Sequence, residues 1–252
     1  MEYYFQKAFD IRSKVFGLNH PRVATLYNNI GGVYERQKDY VKALEYFQQS
    51  LVIKRQVFGE SHPDVALSYN NIGVVYNAQG DYTHALEYFQ QSLAIRKQVY
   101  GESHPDVATS YNNIGAVHYV KVDYNKALKY YKKALKIRRQ VLSVKHPYIA
   151  NSYNNIGTTY DSLGCYDTAL KYYKKTLKIR QQVLGENHPS TATSCYNIGI
   201  VYAKKSDYNR ALVYYKKALG VFEQTLPSNH PKILSVKRNI SKCEENINSN
   251  KQ

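Results

Sequence analysis

The residues of this chain that could carry chemistry are eight histidines, three cysteines, scattered carboxylates and a recurring asparagine pair. His20, His62, His104, His146, His188 and His230 each precede a proline and stand 42 residues apart. Imidazoles in such a ladder could ligate a metal or shuttle protons, but either role needs companion ligands or acids, and no carboxylate or cysteine accompanies them at ligand spacing. The structural reading is a helix-entry position fixed by the proline that follows. His84 and His118 occur in one repeat each and join no constellation. Cys165, Cys195 and Cys243 show no C-x-x-C spacing, which argues against a zinc site or a disulfide framework and for free thiols in a reducing compartment. There is no nucleophile elbow, no phosphate-cradling glycine loop and no paired carboxylates. The expectation is a chain that is not an enzyme, with no metal, no cofactor and no small-molecule substrate.

Two other residue sets are better placed to touch something. Asn28–Asn29, Asn70–Asn71, Asn112–Asn113 and Asn154–Asn155 sit in near-copies of "YNNIG", and Asn197 and Asn239 continue the second member of the pair. A primary amide offers a donor and an acceptor together, so it can bracket one peptide unit without reading a side chain. The second set is basic. Net charge is +16, but residues 1–100 carry 11 basic against 9 acidic side chains, whereas residues 101–252 carry 24 against 10. Lys129, Lys132, Lys133 and Lys136 recur one unit later as Lys171, Lys174, Lys175 and Lys178, and Lys216 and Lys217 extend the row. Such a patch, within residues 126–217, suits nucleic acid, anionic lipid or an acidic protein, or is solvated charge. Tyr130, Tyr131, Tyr172 and Tyr173 are interleaved with it, as base stacking on RNA would require, although Tyr131 and Tyr173 fall on a packing phase.

These residues are positioned by one repeating element. His-Pro, Gly31, Gly73, Gly115, Gly157 and Gly199, and Ala43, Ala85, Ala127, Ala169 and Ala211 all keep the 42-residue period. Each unit divides into two helices. Over 63–79, Pro63 suits the first helical position, Asp64 complements the helix dipole and Gly80 suits a C-terminal cap. Over 82–100, Asp81 is the expected N-cap and Gly101 ends the helix. Apolar residues follow a 3.6 period, with Tyr69, Ile72, Gly73 and Tyr76 on one helix and Ala85, Leu86, Phe89, Leu93 and Ile95 on the other. No segment alternates as a strand does. Two helices of this size bury their apolar faces only by stacking on neighbours. The predicted fold is an all-α solenoid of about twelve helices: a half repeat at 1–17, full repeats at 21–59, 63–101, 105–143, 147–185 and 189–227, a polar capping helix at 231–247 and a frayed tail at 248–252. The unpaired first half repeat suggests self-association at the array ends. No apolar run approaches the length of a membrane span, the amino terminus is charged rather than a signal peptide, and a cytoplasmic location is the default.

The pattern Tyr69-x2-Ile72-Gly73-x2-Tyr76 followed by Ala85, Phe89 and Ser92 resembles the tetratricopeptide repeat, and Tyr111, Ile114, Gly115, Ala127, Tyr131 and Ala134 repeat it. The 42-residue period with "GE-x-HP" between units is similar to the longer repeats of kinesin light chains and nephrocystin-3. Departures are His118 in place of Tyr, Cys195-Tyr196 in place of Tyr-Asn, and Arg55 and its equivalents where the family has proline; the heptad segment by which kinesin light chains engage the motor has no counterpart here. The resemblance implies a superhelix whose first helices line a concave groove that binds an extended peptide of a partner protein.

On a helical wheel with Tyr69 at zero, Asn71 lies at roughly 200° and Asn70 at roughly 100°. By the resemblance, Asn29, Asn71, Asn113, Asn155, Asn197 and Asn239 form a ladder along the groove, with Asn28, Asn70, Asn112 and Asn154 beside it, or else some of these amides bond neighbouring helices. Thr25, Leu67, Thr109, Asn151 and Thr193, with Gly32, Val74, Ala116, Thr158 and Ile200, would tune specificity. On the same reasoning the lysine row faces the convex side.

Overall fold

The computed structural model describes residues 2–249. Among them are twelve helices: α1 (Glu2–Phe16), α2 (Pro21–Arg36), α3 (Tyr40–Phe58), α4 (Pro63–Gln79), α5 (Tyr82–Tyr100), α6 (Pro105–Val120), α7 (Tyr124–Val141), α8 (Pro147–Ser162), α9 (Tyr166–Leu184), α10 (Pro189–Lys204), α11 (Tyr208–Thr225) and α12 (Pro231–Ser249). No strand occurs among the described residues. Even-numbered helices are the first helices of each repeat and odd-numbered ones the second. Residues 248 and 249 are helical, and the rest of the expected frayed tail lies outside the described residues. No helix among them is long and apolar enough to cross a membrane.

Local chemistry sets the helix ends. Asp39, Asp81 and Asp207 each accept a bond from the backbone N–H three residues on, at 3.1–3.2 Å, as N-caps should. Gly80 closes α4 in the left-handed conformation at φ 83°. The same turn in other repeats is held by Lys38, Val122 and Ser206 at φ 63°, 63° and 59°, a region that costs a side-chain-bearing residue energy.

Pairing within a repeat depends on one glycine. A Cβ on Gly73 would lie 2.8 Å from Cδ1 of Phe89 and 3.3 Å from the Ala85 carbonyl, and one on Gly31 would lie 2.8 Å from Phe47. Gly115, Gly157 and Gly199 face the rings of Tyr131, Tyr173 and Tyr215 in the same way. The poor helix former in mid-helix is therefore the point where the second helix inserts an aromatic ring.

The chain forms two compact units, meeting in sequence between Ile137 and Arg138 within α7. In the first, Leu26, Ile30, Phe47, Val65 and Ile72 form one buried cluster, and Ala85, Phe89, Ile114 and Val117 another. In the second, one cluster runs from Ala169 through Ile198, Tyr215 and Phe222 to Ile233 and Cys243. The end helices differ from the interior ones. Ile11 of α1 is 56% exposed where its equivalent Ile53 is 6% exposed against Val23 and Ala24. On α12, Lys237, Ser241 and Glu244 occupy the phase that Tyr69, Gly73 and Tyr76 hold on α4, and all three are exposed.

Candidate functional site

The helix-entry histidines have a definite task. In all six, Nδ1 accepts the backbone N–H two residues on, at 3.0–3.2 Å. Each imidazole is thus the N-cap of its helix, satisfying a donor that the first turn otherwise leaves unpaired. Three also stack on the aromatic that ends the preceding helix: Phe16 on His20, Phe58 on His62 and Tyr100 on His104, with ring centroids 4.7, 4.3 and 4.1 Å apart. Among the described residues no three His, Cys, Asp or Glu side chains converge as metal ligands would.

A second periodic set went unread in the sequence. Lys54, Arg96, Arg138 and Arg180 recur at 42 residues on a phase that proves largely buried. Each reaches from a second helix to the next first helix. Arg96 donates to the Asp106 carbonyl at 3.1 Å and to Ser110 Oγ at 2.9 Å, Arg138 to Ser152 Oγ at 2.7 Å, Arg180 to Ser194 Oγ at 3.0 Å, and Lys54 to Ser68 Oγ at 3.1 Å. Burial lowers the pKa of all four because the charged form is desolvated. The signal was available: a cation and a serine 14 residues apart, repeated every 42.

The asparagines meet at the junctions between successive first helices. In the first unit, Asn71 Nδ2 donates to Asn28 Oδ1 at 2.8 Å and Asn113 Nδ2 to Asn70 Oδ1 at 2.9 Å. In the second, Asn197 Nδ2 donates to Asn154 Oδ1 at 3.4 Å, and Asn239 Nδ2 donates to the Tyr196 hydroxyl at 3.0 Å, where Tyr196 stands in the flanking row. The inner-row amides therefore do not simply face away from the packing with both groups free. The wheel gives a direction for Asn71, and the structure adds its partner, 43 residues earlier. Asn29 is exposed, and the other asparagines of both rows are partly buried.

Each such bond fixes the orientation of two amides. In the Asn71–Asn28 pair, the lone pairs of Asn71 Oδ1 remain as acceptor and both hydrogens of Asn28 Nδ2 as donors, apart from a long 3.5 Å contact from Asn70 Nδ2 to Asn71 Oδ1. Around this pair lie Gly32, Val33 and Val74, with Phe5 and Phe47, lining a cavity of about 400 Å³ in the first unit.

The lysines Lys129, Lys132, Lys133, Lys136, Lys171, Lys174, Lys175, Lys178, Lys216 and Lys217 are all exposed on second helices. Their interleaved tyrosines are not. Tyr131 and Tyr173 are 4% and 3% exposed, and Tyr130 and Tyr172 stack on His118 and Tyr160 at 5.4 and 5.8 Å. Lys133 lies 5.1 Å above Tyr111, and Lys175 lies 5.2 Å above Tyr153. Tyr131 and Tyr173 are thus core, as their packing phase predicts, and Tyr130 and Tyr172 are half-buried and engaged with neighbouring rings.

Comparison with known proteins follows the same lines. The family model for the tetratricopeptide repeat matches residues 1–56, 23–98, 64–140, 106–164 and 148–224. No curated protein sequence matches the chain. Among solved structures, BtubC (BKLC) from P. vanneervenii is similar with a TM-score of 0.74 and 21% identity, over 90% of each chain. A putative kinesin light chain with nearly identical TPR-like repeats from Podosopora anserina has a TM-score of 0.70 at 19% identity, over 82% of this chain and 97% of that one. The apo form of RapI has a TM-score of 0.71 at 20% identity, over 90% of this chain and 60% of that one. At these identities the likeness concerns the fold.

Proposed function

The chain belongs to the tetratricopeptide-repeat family, and from that premise we propose that it is a non-catalytic interaction scaffold whose first-helix face binds an extended peptide of a partner protein. The observation that carries this reading is the recurrence of oriented amide pairs, Asn71–Asn28 and Asn113–Asn70 in the first unit and Asn197–Asn154 in the second. These amides are half-buried, so their unmatched groups stay open to water or to a ligand. Here each pair keeps an acceptor on its inner member and a donor on its flanking member, the complement of one peptide unit. Packed helices lie about 8–10 Å apart and an extended peptide rises about 3.3 Å per residue, so one pair would meet roughly every third residue of the ligand. Such binding is independent of the ligand's side chains at those positions, and residues such as Leu67, Val74 and Thr109 would discriminate between them.

The test is binding to an immobilised array of random-sequence peptides, comparing the wild-type chain with Asn71→Ala, Asn113→Ala and Asn155→Ala combined. Loss of capture with unchanged helical circular dichroism is the expected result, and undiminished capture overturns the reading. Asn70→Asp separates orientation from recognition: a carboxylate still accepts from Asn113 Nδ2, but it no longer donates. Capture by that variant should fall while thermal stability holds. The alternative, nucleic acid or an anionic surface on the lysine rows, predicts tight RNA binding that weakens steeply with salt. With Tyr131 and Tyr173 buried and Tyr130 and Tyr172 stacked on neighbouring rings, only weak, sequence-indifferent association is expected.

A further inference from the structure

The second helices of the second unit carry a charged face that the fold does not require. On α9, Lys171, Lys174, Lys175 and Lys178 fall within about 100° of one another along about 10 Å of helix, and all four are exposed. On α11, Lys216 and Lys217 hold the places of Lys174 and Lys175 and are exposed as well. Both helices pack on α10, so the lysines form two rows rather than one. Like charges three and four residues apart repel on a helix, and little here offsets that. Among the described residues the only carboxylate within ion-pairing reach of these six lysines is Glu244, 3.8 Å from Lys216. Asp167 and Glu223, the two acids of α9 and α11, are engaged by Lys205 and Lys237. Lys174 and Lys175 lie 5.7 and 5.2 Å from the rings of Tyr202 and Tyr153, and both side chains stay exposed. The first unit provides the control. Its α3 and α5 hold Glu45, Gln48, Gln49 and Val52, and Glu87, Gln90, Gln91 and Ala94, at the four positions of the α9 row, with the same helix pairing. Core packing therefore does not account for the lysines.

We propose that the α9–α11 lysine face docks on an anionic phospholipid bilayer. Three observations favour a bilayer over other polyanions. The face is all lysine. The one arginine of α9, Arg180, is spent on Ser194, and the one of α11, Arg210, on Asp207. Lysine is a hydrated point charge on a flexible stem, which suits mobile headgroups, whereas the arginine fork suits the fixed carboxylates or phosphates of a polymer. The rings that a single-stranded nucleic acid would stack on are taken, Tyr173 in the core and Tyr172 against Tyr160. The two rows also spread charge over an area, and Val213, at the place of Lys171 on α11, adds a 53% exposed apolar side chain that a headgroup layer accepts and an acidic polymer does not use. Each lysine near an anionic leaflet adds to the attraction, which salt screens. The asparagine pairs lie on first helices, so the chain can hold a peptide while it rests on a bilayer. The bilayer proposal does not depend on the peptide reading.

The test is co-sedimentation of the full chain with vesicles of phosphatidylcholine containing phosphatidylserine, against vesicles of phosphatidylcholine alone. The first variant gives α9 the face that α5 already carries: Lys171→Glu, Lys174→Gln, Lys175→Gln and Lys178→Ala combined. Because α5 folds with those residues, helical circular dichroism should be unchanged. The second variant removes the same charge from exposed positions of the first unit, with Lys14→Glu, Lys38→Glu and Lys121→Gln combined. Wild type should sediment with the phosphatidylserine vesicles and not with phosphatidylcholine, and the binding should weaken as salt is raised. The α9 variant should lose about tenfold or more in affinity, and the first-unit variant far less. Equal losses in the two variants would assign the binding to net charge and overturn the face. Equal binding to both kinds of vesicle, or none to either, overturns the proposal outright. Capture of polyuridylate or polyglutamate by wild type and not by the α9 variant, with no sedimentation on the phosphatidylserine vesicles, overturns the bilayer as the partner of this face.

Discussion

Gly31 and Gly32 are adjacent in α2, and alanine at these two positions should have opposite effects. Replacing glycine with alanine inside a helix gains about 0.8–1.0 kcal/mol at either position from propensity alone. At Gly31 the new Cβ would lie 2.8 and 2.9 Å from two carbons of the Phe47 ring, against an ordinary carbon contact of about 3.5–4.0 Å. Phe47 is 3% exposed, inside the first-unit core, and cannot swing clear. Overpacking of this kind costs about 1–3 kcal/mol, so Gly31→Ala should be neutral to about 2 kcal/mol destabilising. At Gly32 nothing lies within 3.9 Å, so Gly32→Ala should stabilise by about 1 kcal/mol. Because propensity cancels between the two, the difference isolates the ring contact at about 1–3 kcal/mol. Urea unfolding followed by circular dichroism gives the comparison, and hydrogen exchange of α2 and α3 amides localises it, since repeat arrays lose structure unit by unit. Phe47→Leu should rescue Gly31→Ala and leave Gly32→Ala unaffected, a non-additivity that neighbours show and independent sites do not. If Gly31→Ala proves as stable as Gly32→Ala, helix approach through the glycine is not what positions these pairs.

Three further outcomes follow from the same physics. Val122 is 65% exposed and sits at φ 63°, where a side chain costs about 1–2 kcal/mol, so Val122→Gly should raise the unfolding free energy by up to about 1 kcal/mol after the added chain entropy, and a fall would refute the strain. His104→Ala removes the N-cap acceptor and the stack on Tyr100 and should cost about 1–2 kcal/mol, with His104→Asn recovering most of it; equal losses in both variants would deny the capping role. Burial first, and neighbouring phenols or a thiol second, raise the pKa of Tyr131 and Tyr215 above their ordinary value near 10. The unfolded chain then releases these protons first, so their stability contribution is complete below about pH 10 and is lost as pH rises beyond it. Phenolate absorbance should rise together with loss of helical signal, whereas full ionisation in an intact helical chain would contradict it.

The 63–79 and 82–100 segments read from the sequence coincide with α4 and α5, including Pro63, Asp81 and the Gly80 and Gly101 stops. These features are legible because propensity, capping and the 3.6 period act within a few residues of one another, and because a strict 42-residue period repeats the signal. Gly73 as the close-approach point was legible for the same reason: its phase is shared by Tyr69 and Tyr76. Residues that act across helices were not legible in that way. The wheel sets the direction of Asn71, but its partner, Asn28, is decided by how far one first helix is displaced along the next. The histidines read as bystanders of proline until backbone geometry brought Nδ1 to the N–H two residues on. Tyr130 reads as a surface aromatic until His118 is seen stacked on it at 5.4 Å. Sequence alone determined the helices, their ends and the faces they bury, which are matters of local periodicity. Tertiary structure decided which polar atoms remain available, because an amide or a phenol ring is spent or spared only when a neighbouring helix comes within reach.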